Sequence, residues 1–148
     1  MFILVTSCKN EQTEKQEVVR KVVNEERICL IDNVFEVEGR AYASVDYLEV
    51  SEMDSNAKGQ PIIQFPNGYS YFNNKLALEN IEISKNASVI MQTASYDAEG
   101  NFNFNEAFKI NGLVELFANS ENERMKFVPF RIKILDNNIT AINEIYIP

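Results

Sequence analysis

The stretch Phe127-Val128-Pro129-Phe130-Arg131-Ile132-Lys133-Ile134-Leu135 runs into Asp136-Asn137-Asn138 and is answered by Ile139-Thr140-Ala141-Ile142-Asn143-Glu144-Ile145-Tyr146-Ile147. In the first limb Ile132 and Ile134 alternate with Arg131 and Lys133. In the second, Ile145 and Ile147 alternate with Glu144 and Tyr146. An apolar residue at every second position puts one face of a strand in a core and the other in water. Asp136-Asn137-Asn138 supplies side chains that tolerate the backbone of a tight turn. The two limbs are therefore predicted to form an antiparallel hairpin that closes the chain. Pro129 lacks an N–H and marks an edge or bulge in the first strand.

Working outward, Asn111 is expected to cap a short helix reaching about Glu121, because Leu113, Leu116 and Phe117 lie three and four apart. Before it, Phe102, Phe104, Phe108 and Ile110 alternate with Asn103, Asn105, Ala107 and Lys109, which predicts a half-buried strand. Ser88 to Tyr96 reads as a strand, followed by a turn over Asp97-Ala98-Glu99-Gly100-Asn101. Leu76 to Ile83 reads as a short strand or crossing. Ile62, Ile63 and Phe65 lead into Pro66-Asn67-Gly68, and Asn-Gly supplies the positive φ angles of a two-residue hairpin turn. Ser51 to Gln60 is polar and reads as a loop. Ile28 to Val37 and Arg40 to Val50 form a further hairpin about Glu38-Gly39. Strands dominate, with one short helix before the last two. The expected class is mostly β (α+β), as a single small antiparallel barrel or curved sheet. That order of elements resembles an OB-fold, a likeness of fold that carries no function.

At the other end, an apolar run reaches Val5-Thr6-Ser7-Cys8. A small side chain before the cut and an extended apolar lead-in are what signal cleavage requires. The stretch resembles the lipobox of a bacterial lipoprotein, in which the cysteine becomes the lipidated first residue. The resemblance implies that Cys8 carries lipid. Only Met1 to Val5 precede the box, so residues 1–8 are expected to be the remnant of a longer signal peptide. The other reading is a short apolar terminus that adds an edge strand. Lys9 to Arg27 carries five bases and five acids with no aromatic residue, the composition of a linker. It resembles the charged spacer of Bacteroidota lipoproteins. Within it, Val18, Val19, Val22 and Val23 fall at helical spacing, which allows a short amphipathic helix. Residues 28–148 are left as the mostly-β domain.

The chain has 148 residues and a net charge of −8, and because residues 9–27 are neutral the charge rests on the domain. Nucleic-acid binding needs cations that displace phosphate counterions, so an acidic domain speaks against it. There is no histidine, which removes the commonest general base and metal ligand together. Cys29, in Ile28-Cys29-Leu30-Ile31, reads as a small core hydrophobe; the competing reading pairs it with Cys8. No nucleophile elbow, phosphate-binding loop or Cys-x-x-Cys is present.

Three patches carry a broader resemblance: Asp46-Tyr47-Leu48; Asn67-Gly68-Tyr69-Ser70-Tyr71-Phe72-Asn73; and Pro129-Phe130-Arg131-Ile132 with Ile139, Ile142, Glu144, Tyr146 and Pro148. Together they resemble a group of small secreted or lipid-anchored bacterial proteins of unknown function, from which Ser70 and Phe72 depart. The resemblance spans most of residues 28–148. It implies an exported bacterial protein and carries over no catalytic residue.

Tyr69, Tyr71 and Phe72 are candidates for an exposed aromatic binding surface. The plainer reading, which alternation of the faces favours, packs them in the sheet. Asp97, Glu99, Asn101 and Asn103 around Gly100 offer oxygen ligands, but the glycine sits wrongly for an EF-hand, and a hairpin turn explains the same residues. Neither a metal nor a cofactor is expected. The functional expectation is a non-enzymatic binding or structural module of the cell envelope. It would be attached to the membrane through its lipid, with an envelope protein or glycan as partner. The alternatives are a carboxylate-dependent hydrolase acting on cell-wall or glycan material, and a calcium-dependent adhesion or inhibitor module.

Overall fold

The computed structural model describes residues 22–52, 63–64, 69–73 and 77–148. Cys8, the valines at 18 and 19 and the Asn67-Gly68 turn therefore lie outside the described residues. Among those described, no helix is long and apolar enough to cross a membrane.

Five strands close into a barrel. β1 (Asn24–Val37) pairs antiparallel with β2 (Arg40–Tyr47), through a turn in which Glu38 and Gly39 take φ of 51° and 75°. Such positive values match the twist of a two-residue hairpin, and glycine adopts them without steric cost. β2 pairs antiparallel with β6 (Leu78–Met91), and β6 pairs parallel with β9 (Asn138–Glu144). β9 returns antiparallel to β8 (Pro129–Leu135), and β8 to β1, which completes the ring. The barrel is thus not purely antiparallel. Neighbours cannot alternate direction around a closed ring of odd number, so one pair must run parallel, and here it is β6 with β9. With the helix lying between β6 and β8 in sequence, this is the strand order of an OB-like barrel.

The first limb of the closing hairpin forms where the alternation predicts it, with Phe130, Ile132 and Ile134 buried and Arg131 and Lys133 exposed, but the second strand ends at Glu144, which is buried, and Ile145 to Ile147 lie beyond it. The hairpin's turn is tighter than expected: Asp136 and Asn137 alone take positive φ, and Asn138 already belongs to β9. β1 begins at Asn24, four residues before the expected start of the domain at Ile28, because Asn24 to Arg27 pair with Leu135 to Ile132. The two strands expected on either side of Lys85 are one, from Leu78 to Met91, and Gln92 to Tyr96 lie beyond its end. β6 runs for 14 residues and slips register with β9 between Ile83 and Ser88, where Lys85 and Asn86 reach solvent.

The predicted strand from Phe102 to Ile110 is corrected. Phe102 makes only an isolated bridge to Tyr96, Asn105 turns the chain at φ 56°, and β7 is limited to Glu106–Phe108. The helix, α1 (Ile110–Ala118), starts after Lys109 with no side-chain cap, so Asn111 lies inside it rather than at its cap. Leu113 is fully buried on the predicted stripe. A 3₁₀ helix (Ser120–Phe127) follows, capped by Asn119, whose Oδ1 accepts the Glu121 N–H at 3.0 Å, and it buries Met125. Between β2 and β6 an insertion forms a second small sheet in the order β3 (Glu49–Glu52), β5 (Tyr69–Phe72), β4 (Ile63–Gln64).

Candidate functional site

The segment from Gln92 to Asn105 leaves the end of β6 and returns as β7. Its backbone is held by its own polar side chains. Asp97 accepts the N–H groups of Glu99 at 2.9 Å and Asn101 at 2.8 Å, and the Asn101 carboxamide at 3.2 Å. Hydrogen bonds to the charged form hold its carboxyl below the usual aspartate range. Asn103 donates to Ser95 Oγ and Ser95 donates to Glu106, each at 2.8 Å. Gln92 and Asn105 exchange two bonds at 3.1 Å. This is a turn network, and it accounts for the acids and amides that also suggested a calcium loop. Among the described residues no group of three or more acidic, cysteine or histidine side chains is placed to hold a metal.

The aromatic residues of this segment face outward. Tyr96 stacks on Phe102 with centroids 4.7 Å apart. Phe104 meets the Tyr146 ring edge-on at 5.0 Å, and Phe102 lies 6.5 Å from Tyr146. Tyr96, Phe104 and Tyr146 are 54%, 50% and 42% exposed, and Phe127, from the 3₁₀ helix, is 73% exposed. Phe102, Arg124, Phe127 and Tyr146 border a cavity of about 210 Å³. A cluster of partly exposed rings beside a cavity is uncommon on a protein surface that has no ligand or partner.

Beneath this face lies a buried carboxylate. Glu144 is 4% exposed. It accepts the N–H groups of Gln92 at 2.7 Å and Thr93 at 2.9 Å, and the Thr93 hydroxyl. Arg124 donates to the Thr93 hydroxyl at 3.0 Å and to the Thr93 carbonyl, with its guanidinium 5.7 Å from the Phe102 centroid. The end of β9, the start of the loop and the 3₁₀ helix are thereby tied together, and all the described rings of the patch hang from them.

At the opposite end of the barrel the inward positions are polar. Glu25 and Arg27 on β1, Tyr47 on β2 and Glu79 on β6 surround a cavity of about 320 Å³, floored by Ile81 and Ile134. The Arg27 guanidinium lies 3.9 Å from the Tyr47 centroid. Burial, then the Glu79 charge, pushes the Tyr47 phenol up to about 12, so it is neutral at ordinary pH. Deeper in, Cys29 is a free, fully buried thiol raised to about 12 by burial.

Of the residues singled out from sequence, Tyr71 and Phe72 are 6% and 5% exposed and pack in the protein rather than forming an exposed platform. Ser44 and Asp46, on the outward face of β2, are buried as well. Ser44 donates to Asn80, and Asp46 accepts the Asn73 carboxamide at 2.6 Å. The β2 face, one of the surfaces that OB-folds commonly use for ligands, is therefore engaged at Asp46 by this chain's own insertion and at Ser44 by β6. The side chain of Tyr69, like Cys8, lies outside the described residues. Sequence reading missed Tyr96, Phe104, Phe127 and Tyr146 as a group. The signal was present in the asparagines interleaved with Phe102 and Phe104, which serve turn hydrogen bonds. Comparison with protein-family models, with characterised proteins and with solved structures finds no match.

Proposed function

We propose that this chain is a non-enzymatic binding module of the bacterial cell envelope, tethered through lipidated Cys8, and that it holds an envelope glycan on the face formed by Tyr96, Phe102, Phe104, Phe127 and Tyr146. The observation that carries the reading is the ring cluster itself, exposed on a loop locked by hydrogen bonds. An aromatic face carries partial negative charge and attracts the polarised C–H bonds of a sugar ring. Asn101, Asn103 and Asn105, all exposed around the rings, offer both donors and acceptors to hydroxyl groups. Glu144, the buried carboxylate nearest the face, already accepts three hydrogen bonds, which favours a framework role over acid–base work. Two or three ring contacts at about 1 kcal/mol each, with a few hydrogen bonds, support a Kd between about 50 μM and 1 mM.

The test is co-sedimentation of the full chain with purified bacterial sacculi, beside titration with soluble glycan fragments. Phe104→Ala with Tyr146→Ala is expected to lower affinity at least tenfold while leaving the melting temperature close to that of the parent. Equal binding by parent and double variant refutes the proposal.

A further inference from the structure

The polar mouth of the barrel is unrelated to the aromatic face and breaks the fold's own pattern. Inward positions along β1, β2 and β6 are apolar at depth, with Cys29, Ile31, Val45, Ile81 and Ile83 all buried. One level further out, the same faces carry Glu25, Arg27, Tyr47 and Glu79. Closing a barrel does not require charges of both signs aimed into one cavity. Arg27 and Glu25 form one loose, half-exposed ion pair, and it leaves most of the arginine's donors unused. Arg27 Nη1 lies 3.8 Å from Glu25 Oε2, longer than a hydrogen bond. Among the described residues Glu79 has no ionic partner, whereas Glu82 at the rim is answered by Arg40 at 3.8 Å. The Arg27 guanidinium is supported from one side by the Tyr47 ring at 3.9 Å, which orients it without using its N–H donors.

We infer that this mouth is a binding site for a small zwitterion, a free α-amino acid, whose carboxylate pairs with Arg27 and whose ammonium pairs with Glu79 and Glu25. A planar guanidinium fork matches a carboxylate bidentately. A simple anion meets two glutamates, and a simple cation meets the arginine; a molecule carrying both charges satisfies each. Asn137 adds a polar residue at the rim. The cavity of about 320 Å³ is of the size that small-molecule sites have, enough for an amino acid.

The experiment is calorimetric titration of the full chain with each of the common α-amino acids. Leucine is paired with 3-methylbutylamine, which lacks its carboxylate, and 4-methylpentanoate, which lacks its ammonium. At least one amino acid is expected to bind with a Kd below about 1 mM, and each single-charge analogue at least tenfold more weakly than leucine. Arg27→Gln and Glu79→Gln should each weaken binding tenfold or more, with Arg27→Lys falling between parent and Arg27→Gln. Absence of binding by every amino acid, or an analogue that binds as well as leucine, overturns the inference. So does parent-like affinity in both glutamine variants. None of these results bears on the sacculus assay, so the two sites stand or fall separately.

Discussion

Replacing Glu144 with glutamine keeps the side chain's shape and removes its charge. In the parent, Oε2 accepts the N–H groups of Gln92 and Thr93, and Oε1 accepts the Thr93 hydroxyl, whose oxygen also receives Arg124 Nη1. A carboxamide has one accepting oxygen and one donating nitrogen. If its oxygen stays on the two backbone N–H groups, its NH₂ meets a hydroxyl whose proton has lost its acceptor. If it flips, two buried N–H groups face a donor. The first arrangement costs less. Hydrogen bonds to a charged acceptor exceed neutral ones by about 1 kcal/mol each, and an orphaned buried hydroxyl costs about another 1 kcal/mol. The expected loss is about 3 kcal/mol, or about 12 °C in melting temperature at roughly 4 °C per kcal/mol for a domain of this size. The chain has no tryptophan, so circular dichroism with urea and heat is the appropriate assay. Thr93→Val removes the hydroxyl that the amide leaves stranded. The double variant should therefore be less destabilised than the sum of the singles by at least about 0.5 kcal/mol. A Glu144→Gln protein within about 0.5 kcal/mol of the parent, or strictly additive singles, would show that this network does not hold the two ends of the face together.

Alkaline stability offers a second check. Cys29 and Tyr47 are raised from 9.0 and 10.0 to about 12, so the folded state keeps both protons longer than the unfolded state. Their contribution is complete below pH 9 and is lost as pH rises towards 12, at up to about 1.4 kcal/mol per proton per pH unit. Tyr47 is partly exposed and contributes the smaller share. Urea midpoints should fall steeply over that range, and Cys29→Ala should flatten the fall; the same slope in both proteins refutes the assignment. The tether is checked by expressing the gene with its upstream DNA in a bacterial host fed labelled palmitate. Label should appear in the parent and vanish in Cys8→Ala, and an unlabelled parent removes the lipid anchor from the proposal.

What could be read from residues alone was what neighbours in sequence decide. The alternation through Phe130, Ile132 and Ile134 and the Glu38-Gly39 turn are local, and both formed as read. The parallel pairing of β6 with β9 lies in no window of sequence and follows only from closing an odd number of strands. β6 was divided because its bend needs the polar Lys85-Asn86, which reads as an end rather than as a kink. The alternation from Phe102 to Ile110 misled for a different reason. Period two records which side chains share a face, not whether that face is buried, and here asparagine amides fold the segment back on itself.

The aromatic residues around Tyr71 and those around Phe104 exchanged roles between sequence and structure, and the exchange has a physical cause. Whether an aromatic strand is buried depends on what the rest of the chain lays over it, and the insertion between β2 and β6 places Tyr71 and Phe72 in the interior. The same insertion supplies the Asn73 carboxamide to buried Asp46, while Ser44 beside it is bonded to Asn80 of β6. A barrel that spends its own chain on that face keeps it from a ligand. Exposed rings and open cavities therefore remain at the two ends of the barrel, where strands are least paired and loops most free to vary. One end, around Phe104 and Tyr146, is apolar on a rigid polar frame. The other, around Arg27 and Glu79, carries charges of both signs on an apolar floor. Two ends so unlike in chemistry suit two unlike ligands, and it is the engaged β2 face that makes the ends the places to look.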